Sequence, residues 1–93
     1  MKVRQIITLK GWVNGSGWTY EQIYDNQVIE VDANKIEVMD WTWWETDEEN
    51  PPSEGGDTQI VVKFYAVDAD VDEDEPLATH KAWVSEIWAD RHK

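Results

Sequence analysis

Polar and apolar residues alternate with a period of two in the first part of the chain, from residue 2 to residue 13, which is the pattern of a β-strand. The sequence NGSG at 14–17 then predicts a tight turn, because Asn and Gly accept the positive φ angles that such turns need. We therefore predict a hairpin whose second strand covers 18–24. Residues 19–22 also match a helix capping box, so a single helical turn is the alternative there.

Further strands are predicted in the middle and second half of the chain. The runs VIEV (28–31) and KIEVMDWTWW (35–44) flank a polar turn and predict a second hairpin. The segment DTQIVVKFYAVDA (57–69) has the clearest strand pattern. Near the C-terminus we predict a strand to Val84 and then a short helix capped by Ser85, with one longer amphipathic helix as the alternative.

Together these elements predict a mainly β fold, with an α+β fold as the alternative. We expect a small antiparallel sheet or barrel of five to six strands with a short C-terminal helix. Ninety-three residues leave room for one domain, so 1–93 is predicted to be a single globular unit. Two acidic loops, at 45–57 and 68–76, are predicted between the strands.

Alternation also assigns the two faces of the predicted strand at 58–68. Lys63 requires water, so residues in phase with it face outward and their neighbours face the core. This places Ile60, Val62, Phe64 and Ala66 inside and Val61, Tyr65 and Val67 outside. The same reasoning, applied to 35–44 and to the first and last strands, predicts five aromatic residues on the face opposite the core: Trp12, Trp41, Trp43, Tyr65 and Trp83.

So large an aromatic surface exceeds what a small domain usually leaves exposed to water. We expect the chain itself to cover these rings, through the C-terminal helix or the proline-containing loop. A homodimer or partner interface is a second possibility. An open platform on which a neutral ligand such as a glycan stacks is a third.

The charge balance narrows the possible partners and the compartment. Twenty acidic and eight basic residues give a net charge of -12, which repels nucleic acid and anionic membranes. A basic protein surface, a cation or a neutral ligand suits this charge. Cysteine is absent, so we predict no disulfide framework. The N-terminus lacks the apolar stretch of a signal peptide, and no run approaches the ~20 residues that cross a bilayer, so we expect a cytoplasmic protein.

Thirteen acidic residues and a single basic one lie between Asp40 and Glu75. Carboxylates closer than the Debye length of ~8 Å repel one another, and this cost suggests a use. Ten of these acids, in the two loops, are the predicted partner-binding residues: Glu45, Asp47, Glu48, Glu49, Asp68, Asp70, Asp72, Glu73, Asp74 and Glu75. A pair of solvated loops on a plain structural or dimerising domain is the alternative.

Two acidic loops lying side by side could approximate the charge of a nucleic-acid strand. We therefore predict a non-enzymatic protein that blocks a basic surface, that of a nucleic-acid-binding protein. A small, cysteine-free and strongly acidic chain of this kind is similar in general type to the inhibitors that phages direct against restriction and CRISPR enzymes. That likeness implies the host cytoplasm as the place of action.

The chain carries no catalytic or metal-binding motif. The stretch DADVDED at 68–74 begins like an EF-hand calcium loop, but Glu73 stands where the invariant glycine belongs, and Thr79 replaces the bidentate glutamate. The two histidines, His80 and His92, lack the spacing of a metal site. No serine lies in a nucleophile elbow. We therefore predict no enzyme activity, no metal and no cofactor.

Overall fold

The computed structural model describes residues 1–49, 51–52 and 56–92. The mainly β fold with a short C-terminal helix is confirmed, and its strands form one open antiparallel sheet in the order β2-β1-β3-β4. Within the described ranges the sheet has four strands, not the five to six expected, and it does not close into a barrel. The elements are β1 (Lys2–Val13), β2 (Gly17–Glu30), α1 (Asn34–Glu37), β3 (Gly56–Ala66), β4 (Ala78–Trp83) and α2 (Val84–Arg91).

The hairpin predicted at NGSG joins β1 to β2. Gly15 and Gly17 adopt the positive φ angles of 85° and 71° that the turn requires. β2 contains two residues without a partner in β1, Thr19 and Tyr24, each at a bulge. Residues 19–22 therefore form a strand, as predicted, and not the alternative helical turn. β2 continues to Glu30, beyond the predicted end at residue 24.

The chain does not return as a strand after β2. The run at 35–44, predicted to be the second half of a hairpin, forms the single turn α1 and then an irregular stretch, so that prediction is wrong. Residues 31–49 lie across one face of the sheet instead, and we call them the cover segment. Ile36 belongs to the hydrophobic core, and Trp41 and Trp44 pack against it.

The backbone of the cover segment forms hydrogen bonds with side chains, whereas the backbone of a strand forms them with a neighbouring strand. The carboxylate of Asp40 accepts the N–H of Thr42 at 2.9 Å. The guanidinium of Arg91 donates to the carbonyls of Trp41 and Trp44. Side chains that bind the backbone in this way, from two positions away for Asp40 and from about fifty for Arg91, replace the hydrogen bonds of a strand, and the apolar pattern of the sequence does not reveal them.

The core lies between the sheet and a layer made by the cover segment and α2. Ile60 and Val62 of β3 are completely buried, which confirms the inward side predicted by alternation. Burial of one such side chain stabilises the fold by about 1.5–3 kcal/mol. The core cluster consists of Val3, Ile7, Leu9, Ile36, Ile60, Val62, Phe64 and Ile87.

Helix α2 begins directly after β4 and packs on the core through Ile87, as the predicted order of strand and helix requires. The prediction that Ser85 caps this helix is wrong. Ser85 lies in its first turn, and the carboxylate of Asp57 accepts both the Ser85 N–H, at 3.2 Å, and the Ser85 hydroxyl. Asp57 on β3 therefore caps α2 from outside the helix.

Candidate functional site

The face of the sheet away from the core, here called the outer face, collects basic residues. β1 directs its odd-numbered apolar residues into the core, so its even-numbered residues lie on the other side. The strand register carries the same alternation into β3 and β4. Five of the eight Lys and Arg residues take positions on the outer face: Lys2, Arg4, Lys10, Lys63 and Lys81.

Neighbouring β2 residues contact two of these bases. A guanidinium nitrogen of Arg4 donates to the side-chain oxygen of Asn26 at 2.8 Å. The ammonium of Lys10 lies 3.9 Å from the carboxylate of Glu21 and 5.4 Å from the ring centroid of Trp18. Glu21 is largely exposed, so the Lys10–Glu21 pair orders the surface more than it stabilises the fold.

Three tryptophans cluster at the end of the outer face where β1 meets β2. Trp12 and Trp18 pair across the hairpin, with ring centroids 5.2 Å apart and planes at 78°. Trp18 also stacks on Trp83 of β4, with parallel rings and centroids 5.7 Å apart. We call the adjoining open cavity of about 390 Å³ the tryptophan cleft, lined by Trp12, Trp18, Asp57, Trp83, Ser85 and Glu86.

Three of the five predicted aromatic residues, Trp12, Tyr65 and Trp83, lie on the outer face as alternation predicts. Tyr65 is only 5% exposed, so its ring offers almost no surface to a ligand. Trp18, which is half exposed, joins the two tryptophans instead. Sequence reasoning missed Trp18, although its position opposite Trp12 across the NGSG turn was a usable signal.

Trp41 and Trp43 do not lie on the outer face, so their predicted placement is wrong. Both belong to the cover segment, where strand alternation does not apply. Trp41 packs against the core, and the more exposed Trp43 lies beside it with ring centroids 6.0 Å apart. Helix α2, expected to cover the outer rings, packs on the opposite face of the sheet.

The cover segment exposes a row of carboxylates on the side of the molecule opposite the basic face. His80 of β4 donates from Nε2 to the carbonyl of Ile36 at 2.5 Å, and Trp88 of α2 donates from Nε1 to the carbonyl of Asp47 at 2.8 Å. These contacts fasten the segment at both ends. Its exposed acidic residues are Asp32, Glu37, Asp40, Glu45, Asp47, Glu48 and Glu49.

Hydrogen bonds within the cover segment lower the pKa of Asp40. Hydrogen bonds from the backbone N–H and then the hydroxyl of Thr42 lower its pKa below 3.8, and the positive charges of Lys35 and Arg91 act in the same direction. Asp40 therefore stays ionised at any pH near neutrality.

The acidic loop at 68–76 is folded on itself by its own carboxylates. Asp70 accepts the N–H of Asp72, and Asp74 accepts the N–H of Asp70, both at 3.0 Å. Such turns hold the backbone while leaving carboxylate oxygens open to solvent. The loop exposes Asp68, Asp70, Asp72, Glu73, Asp74 and Glu75.

The two acidic loops lie at opposite ends of β3, so the expectation that they are side by side is wrong. One loop precedes β3 and the other follows it, and the strand's 11 residues span about 33 Å. The cover segment joins the two regions. It begins where Val31 donates to the carbonyl of Met1 at 2.9 Å, near the end of β3, and reaches Asp47 at the other end. Positions 50 and 53–55 of the first loop lie outside the described residues.

Both histidines contact the cover segment. His80 binds the cover segment as described, and Nε2 of His92 lies 3.0 Å from the hydroxyl of Thr46. Within the described ranges, no three His, Cys, Asp or Glu side chains converge as metal ligands. Across the same ranges, no helix is long and apolar enough to span a membrane.

Comparison with known proteins finds no matching family model, no matching curated protein and no matching solved structure. The two surfaces of the molecule must therefore be interpreted from their own residues.

Proposed function

We propose that this chain is a non-enzymatic interaction protein whose acidic surface binds a basic surface on another protein, one that otherwise holds nucleic acid. The observation that carries the proposal is the separation of charge. Acids occupy the cover segment, which packs on the core side of the sheet, and the acidic loop at one end of β3, while five bases occupy the outer face. Opposed patches of this kind steer an approaching partner to one side of the molecule.

The spacing of the acids supports a single strand of nucleic acid as the object of imitation. The cover segment and the acidic loop together expose thirteen carboxylates along a molecule whose longest dimension is 40 Å, about one charge for every 3 Å. Single-stranded DNA carries one charge for every ~3.4 Å, and a duplex one for every ~1.7 Å. A groove shaped for a single strand matches this charge density more closely than a groove for a duplex.

Within the described ranges, the two ion pairs of the chain's N-terminal hairpin region lie away from this surface. The ion pairs of the hairpin, Met1 with Glu30 and Lys10 with Glu21, engage carboxylates outside the acidic surface. Arg91 and Lys35 lie near Asp40, but the guanidinium of Arg91 donates its hydrogen bonds to backbone carbonyls. The remaining repulsion between neighbouring carboxylates destabilises the free protein, and a cationic partner would reduce this repulsion.

Three charge-matched variants test the proposal. One replaces Glu45, Glu48 and Glu49 with Gln, a second replaces Asp70, Asp72 and Asp74 with Asn, and a third replaces the β2 acids Glu21, Asp25 and Glu30 with their amides. Each changes the net charge from -12 to -9. Affinity for the partner should fall about tenfold for each of the first two and less than about twofold for the third.

The partner is sought by immobilising the protein in a bacterial extract at low salt and identifying what about 200 mM salt releases, since charge-driven contacts weaken steeply over that range. We expect nucleic-acid-binding proteins with basic grooves, captured by the parent chain and the β2 variant but lost with the other two. Equal capture by all three variants would contradict the proposal, because net charge alone would then explain it.

A further inference from the structure

We infer that the tryptophan cleft is a binding site for a single cationic side chain, the guanidinium of an arginine or the ammonium of a lysine on a partner protein. The inference rests on the proposed function only for the source of the cation. The recognition itself follows from the rings and carboxylates of the cleft.

The rings of the cleft are held in place before any ligand arrives. Trp12 and Trp18 occupy paired positions of the hairpin, and Trp83 occupies β4 opposite Gln59. The parallel stack of Trp18 on Trp83 and the perpendicular contact of Trp12 with Trp18 fix all three planes relative to one another. A ligand therefore meets an ordered aromatic wall and does not have to order it.

Two carboxylates give the cleft its charge preference. Asp57 is fixed by the backbone N–H of Thr58 at 2.8 Å and by both donors of Ser85. Glu86, in the first turn of α2, is exposed at the rim. Together with the negative faces of the indole rings, these groups attract a cation and repel an anion.

One cation–π contact of this kind is already present within the chain. The ammonium of Lys10 lies 5.4 Å from the ring centroid of Trp18, and Glu21 balances its charge at 3.9 Å. Trp18 is itself a wall of the cleft, so this contact shows one of the cleft's rings beside a cation, and Asp57 and Glu86 supply the carboxylates of the cleft. Its volume of about 390 Å³ accommodates a guanidinium with part of its alkyl stem.

A neutral sugar is the competing occupant, because sugars also stack on tryptophan. A sugar would gain the ring contact but little from the two negative charges, whereas an arginine gains both. The charge of the cleft therefore decides in favour of the cation.

The direct test is an NMR titration of the seven tryptophan indole N–H signals, assigned with single Trp→Phe variants. The probes are N-acetyl-arginine amide, N-acetyl-citrulline amide, which has nearly the same shape without the charge, and cellohexaose. We expect the arginine probe to shift the signals of Trp12, Trp18 and Trp83, with the citrulline probe binding at least about tenfold more weakly. Equal binding of the arginine and citrulline probes, a response to cellohexaose alone, or no response to any probe would overturn the inference.

Two substitutions assign the roles of the cleft residues. Trp18→Ala, at a half-exposed position, should weaken arginine binding about tenfold, and Glu86→Gln about threefold. Trp43→Ala removes an exposed tryptophan outside the cleft and should change nothing. An arginine affinity that is the same in all three variants would place the site elsewhere.

The test is independent of the proposed function. The variants that neutralise Glu45, Glu48 and Glu49, or Asp70, Asp72 and Asp74, leave the cleft intact and should bind the arginine probe as the parent does. Partner capture that these variants retain, together with an intact cleft response, would count against the acidic surface alone. Loss of partner capture in these variants, with no arginine response from the cleft in the parent, would count against the cleft alone.

Discussion

The two sides of this molecule differ in how their surfaces are made. The outer face consists of strands, so alternation fixes which residues it shows, and these include five bases and three tryptophans. On the other side an irregular segment covers the sheet and can turn acids to solvent at almost any position. The separation of charge thus follows the separation between regular and irregular backbone. A strand distributes its side chains alternately between two faces, whereas an irregular covering segment can expose acidic side chains at most of its positions.

The largest effect should come from removing core packing on the covered side. Ile60→Ala at a completely buried position should lower the free energy of unfolding by about 2–5 kcal/mol, because a cavity remains. Ile23→Ala makes the same chemical change at a position that is 65% exposed on β2, and should cost less than about 0.5 kcal/mol. Urea denaturation measures both values. Equal losses would mean that the two sides are not packed as described.

A second prediction concerns the side of the hairpin that faces the cover segment. The ring of Tyr20 crosses directly over Gly11, and its hydroxyl lies 3.2 Å from that of Thr58 on β3. A Cβ at position 11 would overlap the ring, so Gly11→Ala should destabilise the fold by about 1–3 kcal/mol. In a Tyr20→Ala background the same change should cost much less. An unchanged cost there would contradict the contact.

The cover segment can be loosened through one side chain. Arg91→Met keeps the length of the side chain but removes the donors to the carbonyls of Trp41 and Trp44. We expect a loss of about 1–2 kcal/mol and faster hydrogen exchange at residues 40–44. Lys35→Met removes a neighbouring charge without these bonds and serves as the control. If both variants exchange alike, Arg91 does not fasten the segment.

The smallest effect is a pH dependence carried by Asp40. Its pKa is lowered in the folded chain, so its contribution to stability is present above the unfolded value near 3.8 and is lost as the pH falls through the lower folded value. Asp40→Asn should therefore be less stable than the parent at neutral pH and should approach it below about pH 4. Urea denaturation at several pH values gives the comparison. A difference that grows on acidification would have the wrong sign.

The sequence predicted the regular part of the fold well because alternation is a direct record of strand geometry. The bounds of β1, the turn at 14–17 and the inward side of β3 follow from period and turn chemistry alone. Burial on the outer face did not follow. Val61 and Tyr65 are as deeply buried as core residues, although they alternate with them.

The cover segment was predicted to be a strand because its apolar residues alternate with the period of a strand. Residues 35–44 alternate correctly, but Arg91 lies about fifty positions away and binds the backbone that a strand would pair. A long-range contact of this kind leaves no local signal. The predicted aromatic surface was therefore partly wrong, because Trp41 and Trp43 were assigned to the outer face and Trp18 was not included.

The central claim, that acids are concentrated in the cover segment and the acidic loop while bases lie on the outer face, can be tested residue by residue. Paramagnetic relaxation of amide protons by a cationic and by an anionic nitroxide cosolute reports the local potential at each position. We expect the cationic probe to dominate strongly at residues 32–49 and 68–75, and much more weakly around Arg4, Lys63 and Lys81. A ratio of the two relaxation rates that is uniform over both sides would contradict the account.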